Sequence, residues 1–600
     1  MTASIRCPDS TTRYINGIVT HFFQAGRNSD LCRYGATIRP NLWLLTQTTN
    51  CRIFQNKSVP KILEEVFEIY ALNDFQNNLK GSYKDLDYVV QYNETAFDFV
   101  SRLMEEYGIF YYFVHNSDNH MLVLGDDANT DLPCPSIASN SVRYLREEES
   151  SWSEFDIITE CIFNDVYTSG QVSLADYNFA NPTVDLKVTI TGENNTSSHY
   201  EYPGRYDEAE DGNSLARIRL EEMESNSKTL HGQSLCRGFI AGHRFKLSGF
   251  YREDANGDYV LKKINHGCSR HEYKNFFEAF PLSVPFRPGR KTSKPIIPGA
   301  QTAIVVGPNN KEIWTDNYGR VKVQFHWDQE GVSDDNSSCW VRVSQAWAGK
   351  SWGTFFLPRI GMEVVVEFLE GDPDRPIITG TVYNGQQTLP YSLPEKQATS
   401  TIKSQSTEGG DGFNEIRLDD TKEKEEFYLR AQKDMNTLIQ NDLSLTVESG
   451  NEVHAVKKGN RTVNIDEGNE THSVAGIRNI TVTKEEIHKN ENNFSHTVEG
   501  NYVLTISGDL TIDVSGNISL KSGQSSTYET STETIIKAGS TLTTEAGGSH
   551  TSKSGTSMTL DAGTSLKETG GTSVTIEAGT SAELSTSGSL DIKGSLVSIN

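Results

Sequence analysis

The chain has 600 residues, 36% hydrophobic and 22% charged, with 24 Tyr and 26 Phe, a composition of several ordered units rather than one core or a disordered chain. Its formal charge of −25 argues against a nucleic-acid or anionic-membrane binder held by long-range attraction. No apolar run approaches the about 18–20 residues of a spanning helix, MTASIRCPDSTTRY has no hydrophobic signal core, and the eight cysteines, without a CxxC pair, read as free thiols of a reducing cytoplasm.

Residues 1–295 are expected to form a mixed α+β unit. Ser58 is placed to cap a helix with Pro60 in its first turn (SVPKILEEVFEIYAL). NETAFDFVSRLMEEYG predicts a second, with Phe97, Val100, Met104 and Tyr107 at helical spacing and Gly108 as its stop. IFYYFVHNSDNHMLVLGDD alternates as two strands around a polar turn, and GNSLARIRLEEMES reads as a third helix. GHRFKLSGFYREDANGDYVLKKINH predicts a hairpin turning at Asn256-Gly257. The proline-rich FPLSVPFRPGRKTSKPIIPG closes the unit near residues 280–299.

From 300 to 385, TAIVVG, GRVKVQFHW, CWVRVSQ, GTFFLP, MEVVVEFLEG and PIITGTVYN read as short strands between Gly, Asp and Pro turns, the pattern of a small OB-type barrel. Residues 386–437 form a neck that contains Pro394, the last proline. The tail, 438–600, is a repeat in which only Phe494, Tyr502 and Tyr528 remain as large aromatics, too few for an ordinary globular core. Gly450, Gly459 and Gly468 are nine residues apart, and Gly500, Gly508 and Gly516 are eight apart. After a slip the spacing is strictly eight through Gly539, Gly547, Gly555, Gly563, Gly571 and Gly579.

Between these glycines the apolar residues alternate, as Leu510, Ile512 and Val514, so the tail predicts short strands joined by glycine turns, a β-helix. A single chain could complete a coil with three octads, or three chains could each supply one side of every layer. Roughly 20 octads would make a needle of ~30 Å in the first case and on the order of 100 Å in the second. Each octad offers only two or three small apolar side chains, which favours three intertwined chains. KEEIHKNEN breaks the glycine spacing and reads as a solvated face with a local bulge or loop.

Candidate motifs for chemistry fail on their own spacing. AWAGKSWG holds a GKS, but Ser344 stands where a phosphate loop needs its first glycine. REDANGDY starts like a calcium loop, yet Tyr259 takes the glycine slot and Asn265 the final glutamate slot. HEYKN at His271 has Asn275 in place of the second zinc histidine. Cysteine and histidine are nowhere clustered at ligand spacing and no GxSxG elbow occurs, so no catalytic residue, metal or cofactor is expected. Asp372 and Asp374 of GDPDRP read as an exposed, proline-stiffened loop, because nothing apolar flanks them to raise a pKa. Trp340, Trp347 and Trp352 are expected to pack in a barrel or trimer interface, since interleaved acids deny them an electrostatic groove for a stacked ligand.

RIFQNKSVPKILEEVF, FDFVSRLMEEYGIFYYF and ARIRLEEMESNSKTLHGQSLCRGFIAGHRFKL, then DNYGRVKVQFHWD, SCWVRVSQAWAGKSWG, PRIGMEVVVEFLEGDPDRPIITGTVYN and NEIRLDD, with the octads, resemble the VgrG (valine-glycine repeat) family of type VI secretion spikes over nearly the whole chain. The resemblance implies an α+β hub domain with β-barrels, an OB-fold barrel and a C-terminal all-β intertwined trimeric β-helix, or prism. It also implies a homotrimer seated on an Hcp tube ring within a baseplate, with a PAAR-repeat protein and effectors at the tip. Such a spike is assembled in the bacterial cytoplasm, leaves without a signal peptide and penetrates a target membrane mechanically.

Leu596, Val597, Ser598, Ile599 and Asn600 form the apolar strand end expected to hold the PAAR-type cap. Family members carry further barrel strands before the equivalent of Asn16–Phe22, so the first hub barrel is expected to be incomplete here. No room exists between Tyr383 and Asp434 for the lysozyme domain of the phage spike, and no domain follows DIKGSLVSIN, so a structural rather than enzymatic role is expected. The competing readings are a spike with cell-wall hydrolase activity, a phage-tail-like particle spike and a monomeric β-solenoid adhesin.

Overall fold

The computed structural model describes all residues except 29–30, 128–131, 136, 138–140, 147–155, 193–195, 270–271 and 600. It divides into two units, Met1–Glu448 and Ser449–Asn600. The first opens with two antiparallel hairpins, β1 (Thr2–Arg6) with β2 (Thr12–Asn16) and β3 (Ile18–Asn28) with β4 (Leu31–Arg39). Phe22, Phe23, Leu31 and Tyr34 of the second are exposed.

The first hairpin and the turn after the second are tied down by histidine. The Asn16 backbone N–H donates to His115 Nδ1 at 3.0 Å, and that of Asn41 donates to His120 Nε2 at 2.9 Å. A ring nitrogen can accept only while unprotonated. Burial, reinforced by His120 and Arg13, lowers His115 to about 4. The unfolded chain therefore binds this proton more readily, and stability is lost as pH falls from the ordinary histidine range, about 6.5, toward the folded value. Hydrogen exchange of Ala3–Ile5 is expected to quicken over that window, and less so in His115→Gln, whose amide oxygen accepts without titrating.

The first core joins β5 (Thr49–Phe54), α1 (Val59–Ile69), β6 (Phe75–Asn77), β7 (Val89–Thr95), α2 (Ala96–Glu106), β8 (Phe110–His115) and β9 (His120–Gly125). Ile62, Leu63, Val66 and Phe67 line one face of α1, and Phe99, Val100, Leu103 and Met104 one face of α2; they pack with Phe54, Leu122 and Leu124. Each such burial contributes about 1.5–3 kcal/mol. Thr95 caps α2 by accepting from the Asp98 N–H at 3.0 Å, and Gly108, at φ 69°, ends the helix as the sequence predicts. Ser58 holds the N-cap position of α1, but its side chain makes no capping bond.

A closed barrel follows in the order β10 (Ser141–Tyr144), β11 (Ile157–Asp165), β15 (Lys228–Ser234), β18 (Tyr273–Pro281), β17 (Gly257–Cys268), β16 (Arg244–Ser248), filled by Phe239, Phe245, Leu247 and Phe277. Inserted in it, β12 (Gln171–Leu174), β13 (Val188–Thr191) and β14 (Ser198–Glu201) pack under α3 (Ala209–Glu224). The β16–β17 pair is the expected hairpin, but its turn is not at Asn256-Gly257. The loop spans 249–256, and the Asn256 side chain closes it by bonding both backbone groups of Phe250.

The next sheet runs β20 (Lys322–Phe325), β19 (Gln301–Val306), β24 (Glu363–Phe368), β25 (Pro376–Val382), β21 (Arg342–Val343). Val321 and Val341 exchange backbone hydrogen bonds of 3.0 and 2.8 Å, joining the two edge strands into a barrel around Val305, Val323, Phe325, Val364 and Val366. GTFFLP is not one of its strands: only β22 (Ala348–Gly349) and β23 (Trp352–Gly353) pair there, in a short ribbon, and Phe355 and Phe356 are exposed. β26 (Thr399–Lys403), β27 (Glu415–Asp419) and β28 (Glu426–Arg430) then form a three-stranded meander.

In the second unit, two-residue bends recur every eight residues from 475–476 to 595–596 without a slip. The glycine changes place rather than the bend: Gly500, Gly508 and Gly516 take the second position, Gly539 through Gly579 the first. KEEIHKNEN accordingly holds no bulge, its bends falling at 483–484 and 491–492. Earlier bends, at 448–450, 457–459 and 466–468, have three residues and end on Gly450, Gly459 and Gly468 at φ 113°, 103° and 120°. The ninth residue of those repeats is the extra bend residue, and six residues separate the bends throughout.

Only these three of the repeat glycines hold a positive φ. Gly459→Ala is expected to cost about 1 kcal/mol or more per chain, and Gly563→Ala to leave the unfolding temperature unchanged or raised. Thermal unfolding of the assembled protein checks both.

Candidate functional site

The needle is built from its six-residue segments. Counting from each bend, the second, fourth and sixth places face one way. They hold Tyr502, Leu504 and Ile506, then Leu510, Ile512 and Val514, and later Val574, Ile576 and Ala578. These apolar columns are exposed in a single chain. Among the described residues, Ser449–Ile599 contains no strand pair and no backbone–backbone hydrogen bond. Extended backbone must pair to leave water, and a self-coiled monomer would pair with itself. Partners from other copies would complete both the backbone pairing and the columns, which favours intertwined chains over the monomeric solenoid.

A second arrangement ties the OB-type barrel to the first core and to the inserted layer. Asp372 and Asp374 are not an exposed loop: Asp372 is 5% exposed, and both grip the Lys294 ammonium, at 2.6 Å each. Asp374 also accepts from the Val90 N–H of β7 at 2.7 Å, Arg205 reaches Asp372 at 3.2 Å, and Arg375 reaches Asp176 at 3.1 Å. The prolines fix the loop, while burial comes from partners far away in the chain. Burial alone would raise Asp372, but Lys294 and Arg205 outweigh it and hold the carboxyl below the usual range. Burial raises Asp374 against the pull of Lys294, and the neighbouring Asp372 charge adds to the rise. Beside them, Arg102 clasps Glu94 within α2 and β7, with contacts of 2.7–3.1 Å. The acids and bases here are matched in charge, as in a joint between packed units.

The remaining sequence candidates stay apart. Lys350 of GKS lies exposed between β22 and β23. Trp347 and Trp352 meet edge to face, 4.9 Å between centroids, and are exposed rather than packed in the barrel; Trp340 lies half-buried against Trp314. In REDANGDY, Asp254 pairs with Arg252 at 2.7 Å. His271 and Asn600 lie outside the described residues. No group of three or more His, Cys, Asp or Glu within one chain could hold a metal among the described residues. A cavity of about 300 Å³ lined by Met104, Phe110, Tyr112, Leu261, Phe280 and Phe286 opens beside α2, with Glu105 and Lys262 also in its wall. Leu596 lies in the last bend, and Val597 and Ile599 take the first and third places after it, off the apolar column; Ser598 takes the second. The six glycines Gly539, Gly547, Gly555, Gly563, Gly571 and Gly579 each stand first in a bend.

Comparison with known proteins bears on both arrangements. A family profile described as the phage tail baseplate hub (GPD) matches residues 1–271, and one described as the type VI secretion system/phage-baseplate injector OB domain matches 301–383. One described as the bacteriophage T4 gp5 C-terminal trimerisation domain matches 400–514. The class is thus a trimeric baseplate hub fused to an injector spike. The type VI secretion system spike protein VgrG1a of Pseudomonas aeruginosa is 42% identical over 469 residues, 74% of this chain and 72% of that protein. The actin cross-linking toxin VgrG1 of Vibrio cholerae is 36% identical over 447 residues, 71% of this chain and 40% of the toxin. Among solved structures, the E. coli c3393 protein is described as a type VI secretion component similar to T4 tail proteins gp27 and gp5. It matches 62% of this chain and 84% of its own at 23% identity, with a TM-score of 0.44. The chain belongs to the VgrG family of type VI secretion spike proteins.

Proposed function

We propose that three copies of this chain form the hub and puncturing spike of a type VI secretion tube, a structural part that carries a PAAR-type cap and effectors through a target envelope. The unpaired needle carries this reading: its backbone and apolar columns are complete only when copies intertwine. Residues 1–295 then serve as the hub on an Hcp ring among baseplate proteins, 300–385 as the OB barrel, 386–437 as the neck and 438–600 as the spike. Thrust from a contracting sheath passes along hydrogen-bonded layers, and intertwined chains must fail together. Assembly in the bacterial cytoplasm precedes export to the exterior or a target cell.

Leu596, Val597, Ser598, Ile599 and Asn600 are assigned to the PAAR-type cap. The exposed Leu596 and Ile599 lie outside the apolar column and support that assignment. The mass of the purified chain, with electron microscopy, tests the assembly: a trimer is expected, and a monomer sinks the reading. Removal of 596–600 is expected to leave the trimer intact and abolish capture of a PAAR-repeat protein. Wall degradation by the purified trimer would favour the hydrolase alternative, and recovery from a phage-tail-like particle the other.

A further inference from the structure

The apolar column of the needle is interrupted near the neck in an ordered way. The fourth place of successive segments reads His454, Val463, His472, Ile480, His488, His496, then Leu504, Ile512 and Leu520. The second place of the same segments reads Glu452, Arg461, Glu470, Arg478, Glu486, Phe494 and Tyr502. Glutamate precedes histidine by two residues three times, and arginine precedes an aliphatic residue in the two segments between. Residues two apart in an extended segment share a face, so these pairs stand where the rest of the needle places leucine and isoleucine. In each pair the carboxylate meets the same ring nitrogen. His472 Nε2 is 2.6 Å from Glu470 Oε1, His488 Nε2 is 2.8 Å from Glu486 Oε1, and His454 Nε2 contacts Glu452 Oε1 in the same way.

We propose that the His454, His472 and His488 layers, each contributed by three chains, are stacked tris-histidine sites for a divalent transition metal of the zinc class on the needle axis. The proposal rests on the trimeric reading above, because each chain supplies one imidazole per layer. Three imidazoles meet the protein-ligand count of an open zinc site, with water in the fourth position. The carboxylate on Nε2 orients the ring and leaves Nδ1 to bind, the usual outer partner of a metal histidine. Without an ion, three imidazole nitrogens per layer would be buried unsatisfied, at a cost that Leu504 or Ile512 in the same place avoids. Charge agrees: the column sets three glutamates against two arginines in each chain, leaving negative charge for cations to meet. His496 lacks the glutamate, with Phe494 two places before it and its ring 5.2 Å from that of Tyr502, and is outside the set. The expectation of no metal site considered one chain, and the clustering proposed here arises between chains.

The tag-free full-length protein, stripped with a chelator, reloaded with zinc alone and desalted, is the material for the test. Mass measurement is read first: a monomer would overturn the trimeric reading itself. For a trimer, elemental analysis is expected to give about three zinc ions, one per layer. His472→Leu is expected to remove one, and the triple variant His454→Leu, His472→Leu, His488→Leu to remove all while remaining trimeric, because leucine already fills this column at Leu504 and Leu520. Glu470→Gln is expected to weaken one site about 10–100-fold. Chelator is expected to lower the unfolding temperature of the wild type and not of the triple variant. A trimer that retains no zinc, or retains as much after the triple substitution, overturns the proposal and leaves the spike reading standing.

Discussion

Lys294→Met is expected to uncouple the OB barrel from the hub, splitting one cooperative unfolding transition into two and lowering stability by about 3–5 kcal/mol. The ammonium holds both Asp372 and Asp374 at 2.6 Å, and its side chain is only 12% exposed beside them. Without it two carboxylates face each other out of water, and only Arg205 remains against Asp372. Asp374, already raised by burial, would take up a proton in response, so part of the loss should return on mild acidification of the variant. Restoring neutrality in the triple variant with Asp372→Asn and Asp374→Asn is expected to recover much of the loss, which separates a charge effect from a packing effect. Lys350→Met, at an exposed position, is the control and should change nothing. Calorimetry reads all three, and a single unshifted transition in Lys294→Met would show that the joint carries no load.

The contrast between what was legible in the sequence and what was not follows from distance along the chain. α1 and α2 announce themselves because Ile62, Val66, Phe99 and Leu103 recur within one element, and the barrel strands because Val364 and Val366 alternate locally. GDPDRP was misread because its burial comes from Lys294 and Val90, 78 and 284 residues away, and no local apolar neighbour reports them. Trp347 and Trp352 were expected in a barrel or trimer interface; the barrel is not their place, because the ribbon that bears them has only two residues per strand, too short to bury a ring within one chain. In the needle, glycine marks the bend without fixing its phase, since either bend residue can be glycine and Thr483-Lys484 and Glu491-Asn492 bend without one. The alternation of apolar residues carries the phase. Followed strictly, it also exposes the Glu-x-His layers, which neither glycine spacing nor a search for clustered ligands within one chain detects.

Phase is also what makes the needle vulnerable to the smallest change. Deletion of Thr556–Gly563 removes one bend and one segment, and each later residue keeps its face. The trimer should persist with its unfolding temperature nearly unchanged. Deletion of Thr559 alone leaves five residues between bends and moves Leu560 from the fourth place to the third, out of the column. Expelling one leucine costs about 1.5–3 kcal/mol, and three chains lose it together, so a penalty of roughly 5–9 kcal/mol falls on one layer. An inserted glycine after Gly563 should be far milder, because the bends ending at Gly450, Gly459 and Gly468 already accommodate a third residue by a positive φ. Limited proteolysis and sedimentation compare the three variants. The single deletion should be cut near residue 560 and lose trimer on warming before either of the others, and equal resistance in all three would mean that side-chain phase does not hold the chains together.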